Sequence, residues 1–132
     1  MKKIIIIIIA AVVVAGGVLA YIFLIPKAEK TFYYSTGDAF VVNVLDSSKL
    51  IKTTIVLGIS QDKTDKLGDE NAVLRDSILY VLRNQAEETY QRADLQDILS
   101  SQITERLNAL YPVEEGERPL FLQAYFNDFV MQ

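Results

Sequence analysis

The amino-acid sequence predicts an α+β fold in which a single N-terminal transmembrane helix precedes an extracytoplasmic β-β-β-α-α-β domain. Two observations carry this prediction: an uncharged run opens the chain, and the remainder alternates like strands before it takes on helical spacing. Two helices would then pack on one face of a sheet. The expected division is a cytoplasmic tail over residues 1–3, an anchor over 4–25, a juxtamembrane linker over 26–31 and a domain over 32–132.

The opening run has the length of a bilayer-spanning segment. Its 22 residues carry no charge, and as a helix they would reach about 33 Å, against a hydrocarbon thickness of about 30 Å. Two lysines flank each end, so the lysine count does not determine the orientation. The free amine and the very short tail favour a cytoplasmic amino end. A cleaved signal peptide is the alternative, but its apolar region is normally shorter and ends at a small-x-small site. The expected anchor positions are Ile4, Ile9, Val14, Leu19, Leu24 and Ile25.

Two missing residue types exclude whole classes of chemistry. The sequence has no cysteine and no histidine, so disulfides, thiolate sites, histidine bases and most zinc sites are excluded. The segment from Thr31 to Gln132 contains nine basic and sixteen acidic side chains, which give it a net charge of −7. Phosphate backbones repel such a domain, so nucleic acid is not an expected partner. We expect no cofactor and no metal.

Three strands are predicted in the first half of the domain. Aromatic and β-branched residues fill 31–34 and 39–45, with turn residues between them and again at 46–49. The third segment, 50–60, alternates between two faces, and we expect the face that contains Ile55 to be buried in a hairpin or meander. That face holds Ile51, Thr53, Ile55, Leu57 and Ile59, and the opposite face holds Lys52, Thr54, Val56 and Gly58.

Two helices are predicted next. The polar segment 61–69 is expected to be a loop, and its last residue, Asp69, to be the N-cap of the first helix. This helix should end near 86–89, and the second should cover 93–111 and stop before Pro112. The expected buried positions are Leu74, Ile78, Val81 and Leu82 in the first helix, and Leu95, Leu99, Ile103, Leu107 and Leu110 in the second.

The last segment, 118–132, is predicted to be a strand with a bulge at Asn127 and Asp128. Both of its faces are partly apolar, which suggests that one packs on the helices and the other meets a further element, such as a neighbouring subunit. An internal strand covered on both faces is the alternative. One face holds Phe121, Gln123 and Tyr125, and the other holds Leu122, Ala124 and Phe126.

Carboxylates are the only strong catalytic acids that remain. Asp38 and Asp46 flank one strand and Asp128 lies in the last, but turn and edge positions explain all three without catalysis. Ser48 beside Lys49 is weak evidence of a nucleophile and base, because neighbours in a turn rarely point together. The acidic residues of the loop lack the spacing of a calcium-binding loop, and we interpret them as solvated charges. They are Asp62, Asp65 and Asp69.

Three segments resemble a known family. The segment Gly37-Asp38-x-Phe40-x-Val42-Asn43, the helical segment 74–78 and the ending 125–132 together resemble the FliL family, the flagellar basal-body-associated proteins. The resemblance also includes Leu82 and, in the second helix, residues 95–103 and Asn108. Each segment alone is weak evidence. The segments also occur in the order and at the spacing seen in the family, and the chain ends at the same place, which makes the resemblance more specific. The signature positions are Gly37, Asp38, Phe40, Asn43, Arg75, Asp76, Tyr125, Phe126, Phe129 and Gln132.

The resemblance implies a non-enzymatic accessory of the flagellar motor. Such proteins reside in the bacterial inner membrane with their C-terminal domain, which resembles the stomatin or SPFH fold, outside the cytoplasm. The implied partners are membrane lipid, further copies of the chain and the stator units, around which the copies would form a ring. The implied role is to support torque, chemotactic motility and swarming.

The sequence departs from the family at two places. The linker is unusually short, and Ala93 stands where a glycine often begins the second helix. Two other functions stay open: a membrane-anchored scaffold of stomatin-like shape unrelated to motility, and a peptidoglycan-acting enzyme that uses carboxylates.

Overall fold

A computed structural model describes residues 2–24 and 29–132, and within the first helix it describes the side chains of residues 6–18. The first helix, α1, covers Lys2–Leu24. Its described side chains are all exposed and pack on no other element. Among the expected anchor positions, Ile9 and Val14 are exposed on this helix, whereas Ile25 lies outside the described residues. The side chains of Ile4, Leu19 and Leu24 also lie outside the described part.

The predicted transmembrane anchor is wrong. Within the described residues, no helix combines the length and the apolar character that crossing a membrane requires. The α+β class of the remaining chain is confirmed, with a four-stranded antiparallel sheet.

The sheet is built around one long central strand, β3, which covers Leu50–Ile59. β3 pairs on one side with both β1 (Phe32–Ser35) and β2 (Phe40–Asn43), and on the other side with β4 (Phe121–Met131). All pairs are antiparallel. Because β1 and β2 pair with successive halves of β3, they lie end to end along one edge of the sheet.

The predicted turn between β1 and β2 does not reverse the chain. Thr36 donates its backbone N–H (3.2 Å) and its hydroxyl (2.6 Å) to the carbonyl of Ile55, so the ladder continues through the segment. Gly37 has a φ of 96°, which a glycine adopts without strain. Residues 36–39 are therefore a bulge in one interrupted edge strand. The hairpin prediction holds only for β2 and β3, whose connection places Asp46 at a φ of 53°.

The helical region contains two short helices besides the two that were predicted. Residues 64–69, expected to be a loop, form α2 because Leu67 is fully buried against the core. Asp69 therefore ends α2, and Glu70 holds the N-cap position of α3 without a side-chain cap. α3 ends at Arg83, earlier than expected. The bounds are α2 Thr64–Asp69, α3 Asn71–Arg83, α4 Glu87–Tyr90 and α5 Leu95–Leu110.

The core lies between the sheet and the pair α3 and α5, which pack on each other and on the same sheet face. The predicted buried positions of both helices are confirmed except Leu110, which is 49% exposed. It is the last residue of α5. The largest fully buried side chains are Phe40, Ile51, Ile55, Leu57, Ile59, Leu67, Leu74, Ile78, Leu82, Leu99, Ile103 and Phe121.

β4 is an edge strand with the predicted bulge. Two of its residues, Asp128 and Phe129, lie between the pairs Thr54↔Asn127 and Lys52↔Val130, opposite one residue of β3. Asp128 has a φ of 52°, a left-handed conformation that Asp tolerates better than most residues. β4 pairs only with β3 among the described strands, and its outward side chains Gln123, Tyr125 and Val130 are exposed, so the described residues do not form an internal strand covered on both faces.

Candidate functional site

One face of the sheet carries no helix in the described part of the chain. We call it the open face. Since paired residues of antiparallel strands point to the same side, its rows follow directly from the register. Its side chains are mainly neutral and partly apolar, in contrast to the acidic domain as a whole. It consists of Tyr33, Ser35, Val41, Asn43, Leu50, Lys52, Thr54, Val56, Gly58, Gln123, Tyr125, Asn127 and Val130, and Asp128 of the β4 bulge borders it.

An aromatic pair occupies one end of the open face. The rings of Tyr33 and Tyr125 lie 6.0 Å apart between centroids, at 54°. They flank Gly58 of the central strand, where an added Cβ would come within 3.2 Å of the Tyr125 ring. A glycine here lets the ring lie close to the sheet. Tyr33 nevertheless remains 63% exposed, so the pair is a surface feature.

Two opposite charges lie at the other end of the open face. Lys52 is in register with Val41 on one side and Val130 on the other, so two valines flank its stem. Asp128 lies two residues before Val130, in the bulge of β4. Both charged residues line one shallow depression with Thr54 and Val130. Neither belongs to an ion pair among the described residues.

Arg75 connects the helical layer to the bulge between β1 and β2. From α3, its Nη1 donates to the carbonyl oxygens of Thr36 (2.9 Å) and Asp38 (2.8 Å). Its guanidinium carbon also lies 4.0 Å from the ring centroid of Phe40, which is buried. These contacts satisfy two carbonyls that the interrupted ladder leaves without strand partners. Arg75 therefore holds the two halves of the edge strand in line.

Gly37 belongs to the same arrangement. A Cβ added at Gly37 would lie 3.9 Å from Nη1 of Arg75, which is an ordinary contact distance. A side chain would therefore fit at this position, and what favours glycine is the positive φ. The bulge needs this φ in order to turn both carbonyls towards one guanidinium.

Asn108 of α5 holds the beginning of β4. Its Nδ2 donates to the carbonyl of Phe121 (2.9 Å), and its Oδ1 accepts from the N–H of the same residue (2.8 Å). The amide thus replaces the two bonds of a neighbouring strand at the point where β4 leaves its loop. Ser100, earlier on the same helix, accepts a bond from the N–H of Ala124 (2.9 Å). Both contacts fix the face that β4 turns towards the helices.

A second aromatic group closes the core below the bulge. Phe129 lies 6.0 Å from Tyr90 and 6.1 Å from Phe126, measured between ring centroids. The hydroxyl of Tyr90 donates to the carbonyl of Leu82. Burial raises the pKa of this hydroxyl to about 12. The residue therefore acts as a buried hydrogen-bond donor at neutral pH.

Two of the candidate catalytic groups, Lys49 and Asp46, have structural roles. Lys49 donates to Glu87, which also accepts from Ser47, so the base suggested for Ser48 is engaged elsewhere. The same hydrogen bond from Lys49 is the main cause that lowers the pKa of Glu87. Asp46 occupies the hairpin turn. Over the described residues, no group of three or more acidic side chains is arranged to hold a metal ion.

Comparison with known families gives a match over almost all of the α+β domain. The family described as "Flagellar basal body-associated protein FliL" matches residues 33–132. The chain belongs to the FliL family. No curated protein sequence matches it. Membership of FliL implies a flagellar accessory protein that is associated with the basal body and located in the bacterial envelope.

The structure of this FliL chain brings one group of the signature positions together and leaves others apart. The group is Gly37, Asp38, Phe40 and Arg75, which meet at the bulge of the edge strand. In β4, Tyr125 faces outwards, whereas Phe126 and Phe129 pack on the core. Asn43 and Asp76 are exposed, and Gln132 exchanges both backbone bonds with Leu50 (2.9 Å each).

The sequence alone does not reveal Lys52 and Asp128 of the open face as a pair. Alternation along β3 predicts that Lys52 lies on its outward side, and this is confirmed. The proximity of Lys52 to Asp128 depends on the bulge and on the pairing of β3 with β4, which lie far apart in sequence. The two-sided apolar pattern of the last strand is the one signal that points to this surface.

Proposed function

We propose that this FliL chain assembles side to side around the stator units of the flagellar motor and supports their engagement, torque, chemotactic motility and swarming. The observation that carries the proposal is the open face in a domain that matches the FliL family over residues 33–132. In this proposal the domain lies on the extracytoplasmic side, and digestion of spheroplasts by external protease tests that side.

The distribution of charge supports assembly through the sheet. The domain carries a net charge of −7 between Thr31 and Gln132, so copies that approach through their helical sides repel each other. The open face and the sheet edges carry few charges, so close approach there costs less desolvation and repulsion. A repeated contact between unlike edges of successive copies closes into a ring when the rotation allows it.

The outer edge of β4 supports a stator contact. This strand has eleven residues and pairs only on its β3 side among the described strands. Because α5 already bonds to its backbone at Phe121 and Ala124, the candidate edge is the part of the strand from Tyr125 onwards. Unpaired backbone groups along such an edge can accept an extended peptide as an added strand. We propose that an extended segment of the stator binds here. Binding that favours the engaged stator over the idle one would shift the stator population towards engagement.

Deletion of the gene tests the role. The deletion strain should assemble normal numbers of flagella, counted by electron microscopy, but should expand more slowly in soft agar and fail to swarm. Motor speed under load, measured on tethered cells or attached beads, should show fewer torque steps. Normal swarming and normal step number in the deletion strain would contradict the proposal. Loss of the filaments themselves would indicate a role in flagellar assembly instead.

A further inference from the structure

The open face carries one cation and one anion in a domain that is otherwise acidic. Lys52 and Asp128 are its charged residues, at the end opposite the tyrosine pair, and both line the depression that includes Thr54 and Val130. The three ion pairs of the described residues all lie elsewhere. A lysine and an aspartate that share a face without pairing are available to a partner.

The geometry of the two charges is self-complementary. In register, Lys52 lies opposite Val130, and the backbone of Asp128 lies two residues back along β4. A two-fold axis that passes between these positions, near Thr54 and Val130, would place each lysine over the aspartate of the other copy. A partner of a single sign would satisfy one of the two charges and oppose the other.

We propose that the open face binds the open face of a second copy, in a two-fold symmetric pair with two reciprocal contacts between Lys52 and Asp128. Two sheets that pack face to face in this way are spaced about 10 Å apart and bury the outward valines beside the charges. The pair is isologous, so it is distinct from the side-to-side contacts of the proposed ring. It does not depend on the motor role.

Crosslinking at Val130 tests the pair in the full chain. The sequence contains no cysteine, so a single introduced thiol is the only one available. Val130→Cys lies near the proposed axis and should give a covalent homodimer with a short bismaleimide in intact cells. Val73→Cys on α3 is the matched control, because Val73 is exposed to a similar degree (50%, against 42% for Val130) but lies in the helical layer.

The charges are then reversed in the Val130→Cys background. Lys52→Asp replaces two attractions by two repulsions and should lower the dimer yield about fivefold, which is small because exposed pairs are individually weak. Adding Asp128→Asn should restore most of the yield by removing the repulsion. Asn is chosen because the position has a φ of 52°, which Asn tolerates. Thermal melting of each purified variant checks the fold.

The crosslinking yields distinguish a symmetric pair from random collision and from a different partner. Equal homodimer yields at residues 130 and 73 would overturn the pair, and so would a Lys52→Asp variant that crosslinks as well as its parent. An adduct of different mass in place of the homodimer would overturn it too, since another protein would then cover the open face. Crosslinking does not measure motility. If the homodimer does not form but the deletion strain swarms poorly, the proposed pair is wrong and the proposed motor role still stands.

Discussion

The two faces of β3 differ although they belong to one strand. Facing the helices, its side chains are all fully buried, and they include one threonine, Thr53, whose hydroxyl bonds to the carbonyl of Asn127 (3.1 Å). Facing away, the strand presents Lys52, Thr54 and Val56, which no described element covers. The buried side chains on the helix side are Ile51, Thr53, Ile55, Leu57 and Ile59.

This difference separates what holds the fold from what is free to bind. The helix-covered face supplies the apolar burial on which the stability of a domain of this size depends. The open face contributes less to folding, so its composition is free to serve another purpose. Variants on the two faces should therefore affect different measurements.

The largest effect is expected from a cavity under the helices. Leu57→Ala should lower the free energy of unfolding by about 3 kcal/mol, because the side chain is fully buried and the helices cannot fully collapse onto the gap. Its neighbour on the open face, Val56→Ala, should lower it by about 0.5 kcal/mol. Urea unfolding followed by circular dichroism measures both. Equal losses would show that the two faces contribute alike.

The next effect concerns the contact between α3 and the bulge. Arg75→Ala should destabilise the protein by about 2 kcal/mol, because it removes two charged hydrogen bonds to carbonyls and the stacking on Phe40. Arg106→Ala is the control, since Arg106 lies 3.8 Å from the Tyr80 ring centroid but forms no such bonds among the described residues. It should cost about 0.5 kcal/mol. A larger loss for Arg106→Ala would refute the importance of the bulge contact.

A smaller effect tests the buried tyrosine. Tyr90→Phe should lower stability by about 1 kcal/mol at neutral pH, since the carbonyl of Leu82 loses its donor. The folded pKa of about 12 lies above the ordinary value of 10.0. Stabilisation by the protonated hydroxyl is therefore complete below the ordinary pKa and is lost as pH rises towards the folded one. As pH rises through the alkaline range, the melting temperature of the parent should fall more steeply than that of Tyr90→Phe. Equal slopes for the two proteins would contradict this prediction.

The smallest effect on stability is expected from Lys52→Asp. The residue is exposed, and no described ion pair involves it, so the free energy of unfolding should change by less than about 0.5 kcal/mol. Chemical denaturation alongside the parent measures the change. A loss as large as that of Leu57→Ala would mean that the open face also holds the fold.

The elements that the sequence predicts well are those whose pattern is local and long. The alternation from Ile51 to Ile59 and the apolar stripe of α5 each repeat often enough to define a buried face. The end-to-end arrangement of β1 and β2 is not predictable in this way, because a turn-like segment does not reveal that both neighbours pair with the same strand. α2 escapes prediction because one buried leucine, Leu67, makes no periodic pattern.

The candidate site is only partly predictable for the same reason. Outward positions on β3 follow from alternation, but the meeting of Arg75 with Thr36 and Asp38 depends on long-range packing. The sheet also brings Lys52 near Asp128 only through the bulge of β4.

Swimming of the deletion strain complemented with open-face variants tests the account most directly. The strain receives the parent chain, Lys52→Asp, or Lys63→Asp, which makes the same charge change at the start of α2, away from the sheet. At equal protein levels on immunoblots, Lys63→Asp should restore soft-agar expansion and Lys52→Asp should not. Full restoration by Lys52→Asp would contradict the claim that the open face is the working surface of this FliL protein.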